Sequence, residues 1–391
     1  MRILKIAFDS QLFLKGKKTG IAWCGDHVIK ELAKEPGYTC LCDFFSFHYS
    51  DEKKKEVEKY QEYGVLTNPC SWFHDVLYKL IWPIVPLPYH WFFGTDRDVT
   101  IFFNFIIPPG VKGKKIAVVH DMAYKAYPET VNKKTLRWLQ LTLKKSCQRA
   151  DAIVTVSEFS KQEIIKYLGV PEEKIVVMAN GVDLDIFRMD YEKERVTAVK
   201  EKFQIQGEYF LYLGTLEPRK NIERLVRAYG QMLEQWDREK IEKEPPKLVL
   251  AGGKGWLYDS IFETTRELGL DKKVLFTGYI EENEVPVLMK GSRAFVFPSL
   301  YEGFGMPPLE AMACGTPVLA STAASLPEVV GEIGVLVDPE SVDDICHGLK
   351  RLALDEELCR KLQEGGPKRA KEFSWDKTVQ PLKALLNSME D

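Results

Sequence analysis

The stretch "PSLYEGFGMPPLEAMACGTPVLAS" at 298–321 carries the clearest fold signal in the chain. It overlaps the end of an apolar run, "AFVFPS" at 294–299, that is typical of a buried strand. A glycine-rich turn then leads into a helix that begins near Pro307 and ends before Gly315. The next apolar run, "PVLAST" at 317–322, reads as another strand. A strand, a helix and a second strand in this order predict a parallel sheet in an α/β fold.

The same alternation extends to both sides of this stretch. We predict further strands at 4–9, 99–105, 115–121, 152–157 and 174–180 in the first half of the chain, and at 209–215, 247–253, 274–280 and 334–339 in the second. A polar stretch at 185–207 separates the two series. We therefore expect two Rossmann-like domains, residues 1–190 and 200–370, that face a central cleft.

Length and charge limit the classes of function. The chain has 391 residues, of which 45% are hydrophobic and 28% charged, enough for two globular domains. The 57 acidic and 54 basic residues leave a net charge of -3, so we predict no nucleic-acid partner. The N-terminus lacks an export signal, and we expect a cytoplasmic protein, with peripheral contact to the inner face of the cell membrane as an option.

The cysteines do not form a metal-binding pattern. The chain has eight cysteines, and no two of them form a Cys-x-x-Cys pair, which indicates reduced and mostly buried thiols. They also lack the four-ligand spacing of a structural zinc site, and no Walker-type Gly-Lys-Ser/Thr loop is present. We predict no metal.

The segment 71–93 is unusually aromatic. Its eight rings belong to Trp72, Phe73, Tyr78, Trp82, Tyr89, Trp91, Phe92 and Phe93. The segment is too short and too rich in proline to cross a bilayer. If these rings are exposed, they suit a membrane interface that holds a lipid-linked acceptor; the alternative is packing among the N-terminal helices.

Two adjacent cations follow the first strand of the second half, in "YLGTLEPRKNIERLVRAY" at 212–229. The strand ends at Gly214, and a turn then delivers Arg219 and Lys220 just before a helix that Asn221 would cap. Cations at the carboxyl end of a strand suit a diphosphate whose charge grows as a sugar departs. Arg219 and Lys220 are therefore our candidate leaving-group stabilisers, and ordinary surface cations are the alternative.

Two carboxylates bracket the turn that contains Gly303 and Gly305. Glu302 precedes the turn, and Glu310 lies one turn into the helix. A bound diphosphate would repel them, so we interpret them as acceptors for neutral hydroxyls, one on a sugar and one on a ribose. The alternative is that acidic residues are simply favoured near the positive end of the helix dipole.

Two further candidates lie in the first half. Gly20 belongs to the glycine-containing loop "KGKKTGIAWCGDHVIKEL" at 15–32, whose spacing departs from the dinucleotide-binding pattern. His120 and Asp121 end a predicted strand, where an α/β protein presents its ligands. His120 would contact a donor sugar or an acceptor, and a purely structural histidine is the alternative.

Taken together, these motifs resemble a known enzyme family. The resemblance rests, in chain order, on "DSQLFLKGKKTGIAW", "VVHDMAY", "VTVSEFSK", "MANGVD", "YLGTLEPRKN", "LVLAGGKGW", "FTGYI", the stretch at 298–321, "SLPEVVG" and "FSWDKTVQPL". The chain is similar to the retaining GT-B glycosyltransferases of family four. Within them it resembles most the bacterial mannosyltransferase-like branch that builds lipopolysaccharide and capsule chains.

The resemblance implies roles for individual residues. Glu302 would contact the hydroxyls of the transferred sugar, and Glu310 the ribose. Arg219 and Lys220 would hold the diphosphate, and His120 would sit close to the sugar. Further donor contacts are implied for Gly20, Gly214, Gly278, Tyr279, Ile280, Gly303, Phe304, Gly305, Met306, Pro307 and Leu309, with Ser157 and Asn180 as cleft-lining positions.

The resemblance also implies an activity. Residues 1–190 would form the acceptor-side domain, joined by a returning C-terminal helix at about 371–391, and 200–370 would bind the nucleotide sugar. The enzyme would move a hexose with retention and without a metal or a cofactor, with GDP-mannose as the favoured co-substrate. The acceptor would be a saccharide or lipid-linked saccharide in cell-surface glycan synthesis.

Alternatives stay open at this point. For the donor, the alternatives are a UDP-sugar and a dTDP-sugar. For the class of protein, the alternatives are a nucleotide-sugar epimerase, a phosphorylase of related fold and a non-catalytic sugar-nucleotide binding module. Ala22 and Trp23, in "TGIAWCG", depart from the glycine-rich loop of many relatives.

Overall fold

The computed structural model describes residues 3–15, 20–82, 85–253, 255 and 257–389. Its internal contacts divide the chain into two compact units. Unit 1 comprises residues 1–181 and 375–391, and unit 2 comprises residues 182–374.

Unit 1 is built on a parallel seven-stranded sheet. Its strands are β1 Leu4–Asp9, β2 Tyr38–Phe45, β3 Leu66–Cys70, β4 Val99–Phe102, β5 Lys114–Val118, β6 Ala152–Thr155 and β7 Ile175–Val177. They lie in the order β3-β2-β1-β4-β5-β6-β7, so the direction of winding reverses between β1 and β4, where Ile6 pairs with Val99. Such a reversal leaves a crevice at the carboxyl ends of the strands, where α/β proteins bind ligands.

Helices lie between most consecutive strands of unit 1. They are α1 Gly20–Ala33, α2 Asp51–Glu58, α3 Asp75–Ile81, α4 His90–Phe93, α5 Ala123–Ala126, α6 Lys133–Arg149 and α7 Glu158–Leu168. Short 3-10 helices cover Gln11–Lys15, Lys59–Tyr63, Pro128–Thr130 and Glu172–Lys174.

Unit 2 repeats the design with a parallel six-stranded sheet. Its strands are β8 Tyr209–Leu213, β9 Lys247–Ala251, β10 Val274–Gly278, β11 Ala294–Phe297, β12 Val318–Ser321 and β13 Val335–Val337. They lie in the order β10-β9-β8-β11-β12-β13, so here the reversal falls between β8 and β11. Its helices are α8 Lys193–Lys202, α9 Ile222–Arg238, α10 Asp259–Glu267, α11 Val285–Gly291, α12 Met306–Ala313, α13 Leu326–Val330, α14 Val342–Leu354 and α15 Glu356–Ala370, with 3-10 helices at Pro218–Lys220 and Lys371–Phe373.

The C-terminal segment packs within unit 1. It forms α16 Trp375–Thr378 and α17 Gln380–Asn387. The indole ring of Trp375 stacks on the imidazole ring of His27 in α1, with the ring centroids 4.7 Å apart. Leu382 and Leu386 are fully buried in the same core as β1 and β2.

The sequence-based strands were right in position and class but too long. Most of them end two or three residues earlier than predicted; the run 99–105, for example, is a strand only to Phe102. The apolar pattern continues past the last paired residue, because Phe103 is also buried although it does not pair with a neighbouring strand. Burial alone therefore does not mark where a strand ends.

Two strands were missed. β2 contains Asp43, a buried charged residue that does not fit the apolar pattern of a central strand. β3 lies at the edge of the sheet, pairs only with β2 and carries an exposed Leu66 and a proline, Pro69. Proline is tolerated on an edge strand because one side makes no ladder hydrogen bonds.

The eight cysteines are all buried, as the sequence predicted. Burial raises the pKa of every one of these thiols, to about 12 for Cys24 and Cys147 and to about 11 for Cys346. They behave as small apolar side chains in the interior.

The aromatic segment 71–93 divides into two sets of rings; residues 83 and 84 lie outside the described part. Tyr78, Trp82, Tyr89 and Phe93 are buried in a core cluster of unit 1. By contrast, Trp72 and Trp91 are 61% and 62% exposed. The packing interpretation is therefore confirmed for the buried rings, whereas membrane contact of the exposed rings stays a prediction. In the described part of the chain, no helix has the length and the apolar character that a membrane span requires.

Candidate active site

The turn after β8 holds two cations in a fixed position. Pro218–Lys220 forms a single 3-10 turn, and Asn221 then adopts the left-handed conformation with φ of 61°. We had expected the side chain of Asn221 to cap α9, but it makes no capping hydrogen bond. It donates instead to the backbone carbonyls of Pro298 and Pro339, at 3.0 and 2.6 Å. These bonds tie the cation-bearing turn to the end of β11 and to the loop after β13.

Arg219 and Lys220 converge on the carboxylate of Glu302. The Nζ atom of Lys220 donates to Oε1 at 2.6 Å, and Nη1 of Arg219 donates to Oε2 at 3.1 Å. Arg219 also donates to the carbonyl of Tyr301 at 2.6 Å and to the carboxylate of Glu217 at 2.8 Å. Residues separated by more than 80 positions thus form one ionic cluster where the winding of the unit 2 sheet reverses.

The cluster is largely shielded from water, which strengthens its electrostatics. The side chains of Lys220 and Glu302 are only 12% and 11% exposed. Burial alone would raise the pKa of Glu302, but the positive charges of Lys220 and Arg219 outweigh it and lower that pKa below its ordinary value. Burial also lowers the pKa of Lys220, while Glu302 acts in the opposite direction. An anion that binds beside Arg219 and Lys220 would meet two positive charges that the carboxylate of Glu302 already balances in part.

The turn from Gly303 to Gly305 follows directly. Gly305 has a φ of 121°, a region that side chains rarely adopt, and a Cβ atom there would lie 2.6 Å from Cδ2 of Leu326. The hydroxyl of Ser325 lies 2.9 Å from the carbonyl oxygen of Glu302 and 2.7 Å from that of Phe304. The prediction of a glycine-dependent turn before α12 is therefore confirmed, and α12 has proline in its first turn as expected.

Glu310 differs sharply from Glu302, although only seven residues separate them. It is half-buried in α12, and burial raises its pKa to about 7. Across the described residues, no ion pair or side-chain hydrogen bond involves its carboxylate. A half-buried carboxylate with this pKa can gain its hydrogen bonds from a ligand.

The other predicted donor contacts of unit 2 have varied surroundings. Gly214 donates its N–H to the carbonyl of Ala251 at 3.0 Å. Gly278 ends β10 with a φ of 70°; Tyr279 after it is 49% exposed, whereas Ile280 is buried in the core. Phe304 and Leu309 are buried, while Met306 and Pro307 are half-buried. Direct donor contact stays a prediction for all of these residues.

His120 of unit 1 is buried after β5. Its Nε2 lies 3.3 Å from the carbonyl of Phe103, so this nitrogen carries the hydrogen and donates it. Burial lowers the pKa of His120 to about 4. The imidazole is therefore neutral at neutral pH, with Nδ1 as the acceptor. Its contact with a sugar stays a prediction.

Three further predicted residues also belong to unit 1. Gly20 is the exposed first residue of α1, and residues 16–19 before it lie outside the described residues. Ser157 caps α7 by accepting a hydrogen bond from the N–H of Ser160 at 3.0 Å. Asn180 is buried, and its Oδ1 has no hydrogen-bond partner among the residues that the structure describes. Ser157 therefore has a structural role as a helix cap, whereas the Oδ1 atom of Asn180 can accept a hydrogen bond from a ligand.

Among the described residues, no group of three or more histidine, cysteine or acidic side chains is placed to hold a metal ion. Two Asp-x-Asp spacings occur, at 96–98 and 183–185. Each contributes a hydrogen bond to the backbone: Asp98 accepts from the N–H of the distant Lys5 at 2.8 Å, and Asp183 accepts from the N–H of the nearby Asp185 at 3.0 Å.

Sequence reasoning missed several members of the site. Glu217 and Ser325 shape the cluster, and both lie in motifs that we had noticed, "TLEPRKN" and "SLPEVVG". The fixing role of Asn221 had no sequence signal, because its partners Pro298 and Pro339 are distant in the chain. Backbone carbonyls leave no trace in a pattern of side chains.

Solved structures place the fold in a known class. The chain superposes on sucrose-phosphate synthase from Thermosynechococcus elongatus with a TM-score of 0.72 and 18% identity over 99% of both chains. It matches Anabaena HepE, solved with UDP and glucose, with a TM-score of 0.71 and 18% identity over 98% of this chain and 100% of that one. Two Rossmann-like units of this kind define the GT-B glycosyltransferase fold.

Sequence comparison identifies the family. Residues 195–369 match the model of glycosyl transferases group 1, and residues 43–186 match that of glycosyltransferase family 4. O-antigen chain mannosyltransferase B of Escherichia coli is 35% identical over 284 residues, which cover 72% of each chain. The serotype-specific mannosyltransferase WbdA of Escherichia coli is 32% identical over 62% of this chain, but the match spans 30% of that longer protein. This chain belongs to glycosyltransferase family 4, in its mannosyltransferase-like branch, as the motifs indicated.

Proposed function

We propose that this glycosyltransferase moves mannose from GDP-mannose to a saccharide acceptor, with retention and without a metal, in cell-surface glycan synthesis. The observation that carries the proposal is the cluster of Arg219, Lys220 and Glu302. It places two cations and a hydroxyl acceptor in one shielded position, which suits a sugar diphosphate.

The two cations serve the departing diphosphate. As the bond between the sugar and the phosphate oxygen breaks, negative charge grows on that oxygen, and Arg219 and Lys220 balance it without having to reorganise. Their charges take the place of a metal. Glu302 then accepts hydrogen bonds from the sugar hydroxyls.

Retention follows from attack on the same face. The acceptor hydroxyl attacks the anomeric carbon from the side of the leaving group, and its proton passes to the departing phosphate oxygen. One C–O bond breaks and one forms, and no covalent enzyme intermediate arises. Neutral His120 stays outside the proton transfer, and its predicted role is to contact the sugar.

The donor is proposed from the relatives. O-antigen chain mannosyltransferase B and WbdA are named for mannosyl transfer. A UDP-sugar is the second candidate, because HepE was solved with UDP-glucose and shares the fold. Glu310 would accept the ribose hydroxyls of either nucleotide.

The acceptor is proposed to be lipid-linked, because unit 1 has a surface suited to a membrane interface. We define this membrane-facing surface as the exposed side of α3 together with α6. Val76, Leu77 and Leu80 of α3 are each at least 50% exposed. α6 has no acidic residue and exposes the cations Lys133, Lys134, Arg137, Lys144 and Lys145. Apolar side chains beside exposed cations favour an anionic lipid surface.

The proposed transfer is tested with purified enzyme and a panel of GDP-, UDP- and dTDP-sugars. Thermal shifts identify the donor, since a ligand of the folded state raises the melting temperature. Transfer to mannose-terminated glycolipids in the presence of EDTA then checks the acceptor and metal independence. NMR of the new linkage checks retention. An inverted linkage or a requirement for metal would refute the mechanism. A new sugar formed from donor alone would indicate an epimerase.

A further inference from the structure

Unit 1 has a cavity of about 220 Å³ where its own sheet reverses its winding. Asp9 ends β1, Phe45 ends β2 and Phe102 ends β4, and all three line the cavity. The position matches that of the ionic cluster in unit 2, at the carboxyl ends of strands on both sides of the reversal. Nothing in the proposed donor chemistry uses this cavity.

Half of the residues that line the cavity are aromatic. Tyr78 of α3, Trp82 directly after α3 and Trp138 of α6 contribute rings. The indoles of Trp82 and Trp138 meet edge to face with centroids 5.9 Å apart. Rings held by packing offer a rigid apolar surface at little entropic cost. Such walls suit a ligand with an apolar face.

A few polar groups interrupt these walls. Asp9 contributes a carboxylate, and its negative charge adds to burial in raising the pKa of Tyr78. Asn104 is exposed and contributes an amide. Gln11 is pinned in place, because its Oε1 accepts from the N–H of Phe45 at 2.8 Å. Together these groups offer both acceptors and donors to hydroxyl groups.

The charge balance argues against an anionic ligand. Lys79 is the cation in the lining, and its Nζ already donates to Asp75 at 3.0 Å. Asp9 adds a negative charge. A phosphate or carboxylate would therefore be repelled, whereas a neutral polyol would be accepted.

Helix α3 connects the cavity with the membrane-facing surface. Tyr78 of this helix and Trp82, which directly follows its last residue, line the cavity on one side. Val76, Leu77 and Leu80 are exposed on the other side of the helix. A ligand in the cavity thus lies one helix width away from a surface suited to lipid. The arrangement fits a sugar whose aglycone is a lipid.

We propose that this cavity binds one pyranose ring of the acceptor, with the apolar C–H face of the ring against Trp82 and Trp138 and its hydroxyls on Asp9 and Asn104. The proposal rests on the proposed transferase function and names the acceptor contact within unit 1. A pyranose has one apolar face and a rim of hydroxyls, which is the combination that the cavity offers.

The test is ligand-observed NMR on the full chain, with methyl α-mannopyranoside, inorganic phosphate and hexanol as separate probes. We expect the pyranoside to bind and the phosphate not to bind at the cavity. Asn104→Ala removes a hydrogen-bond partner, and Asp9→Asn removes the negative charge and replaces one acceptor oxygen with an N–H donor. Each change should weaken pyranoside binding by at least about fivefold. Gln140→Ala, an exposed change on the same helix as Trp138, is the matched control and should leave it unchanged.

Thermal stabilisation by GDP reports separately on unit 2 and should be the same in all variants. If Asp9→Asn fails to fold, Asn104→Ala decides, because Asn104 is exposed. Wild-type pyranoside affinity in both variants would overturn the proposal, as would binding of hexanol with exclusion of the pyranoside. If pyranoside binding depends on these residues but no nucleotide sugar is turned over, the cavity stands and the transferase proposal fails.

Discussion

The two units share a sheet order but differ in what they place at the reversal of winding. Unit 2 places buried charges there, Arg219, Lys220 and Glu302. Unit 1 places aromatic rings there, with one carboxylate, Asp9. The sheet determines where a ligand meets the strand ends, and the loops after the strands determine which chemistry it meets.

Buried carboxylates show the same difference. In unit 1, Asp43 is buried in β2 beside Arg97, and burial raises its pKa to about 6 despite that partner. In unit 2, the two cations beside Glu302 outweigh burial and lower its pKa. The one cation beside Asp43 does not cancel the effect of burial on its pKa, whereas the two cations beside Glu302 do so for that carboxyl.

The largest expected effect concerns the charges of unit 2. Lys220→Met removes one of the two cations that balance the leaving group and should lower kcat by about 10²- to 10³-fold, measured with a verified donor and acceptor. Arg227→Ala, which breaks an exposed ion pair with Glu223 on α9, is the control and should stay within about twofold of wild type. A loss below tenfold for Lys220→Met would show that the charged reversal of unit 2 is not the catalytic one.

Next in size is the turn that positions those charges. Gly305→Ala forces a side chain into an unfavourable φ and against Leu326, and should lower the free energy of unfolding by about 2 kcal/mol in urea denaturation. Gly253→Ala is the matched control, because a Cβ atom there meets nothing within 4 Å. Equal stability of the two variants would contradict the strained turn.

A smaller effect is expected from Glu310, which lacks the cations of Glu302. Its pKa of about 7 lies above the unfolded value of 4.5, so its ionisation costs stability as pH rises through this range. Ribose hydroxyls donate to the ionised form, so donor affinity should rise by up to about tenfold between pH 6 and pH 8. Titration calorimetry measures this rise, and Glu310→Gln should abolish it. A rise that persists in Glu310→Gln would assign the titration to another group.

The smallest expected effect returns to unit 1. Lys144→Ala removes one exposed cation of α6 and should weaken partitioning to anionic vesicles by about fivefold at low salt, measured by co-sedimentation. Lys361→Ala, an exposed cation of unit 2, should have no such effect. Equal losses in both variants would mean that net charge, rather than the membrane-facing surface, drives binding. In high salt the difference should disappear.

The sequence predicted the framework better than the contacts. Glycine and proline around 303–308 and the cations at 219 and 220 were readable because their chemistry lies in neighbouring residues. Strand β2 escaped because Asp43 interrupts its apolar pattern, and β3 because an edge strand tolerates exposure and Pro69.

Long-range features of the candidate site were harder to predict. Glu302 bonding both cations, Asn221 reaching two distant carbonyls and the unit 1 cavity each join residues far apart in the chain. No local pattern encodes which loops meet, since the sheet order decides it. The opposite pKa shifts of Glu302 and Glu310 follow from such neighbours, not from their own identities.

The burial of all eight cysteines has a practical consequence for studying the enzyme. The thiolate is the nucleophile that attacks thiol reagents, and raised pKa values together with burial keep these sulfurs unreactive in the folded protein. A single cysteine introduced on the surface can therefore carry a fluorophore or spin label without first removing the natural ones. The rate at which each natural thiol is labelled then reports local unfolding, because the thiol becomes reactive only when the segment around it unfolds.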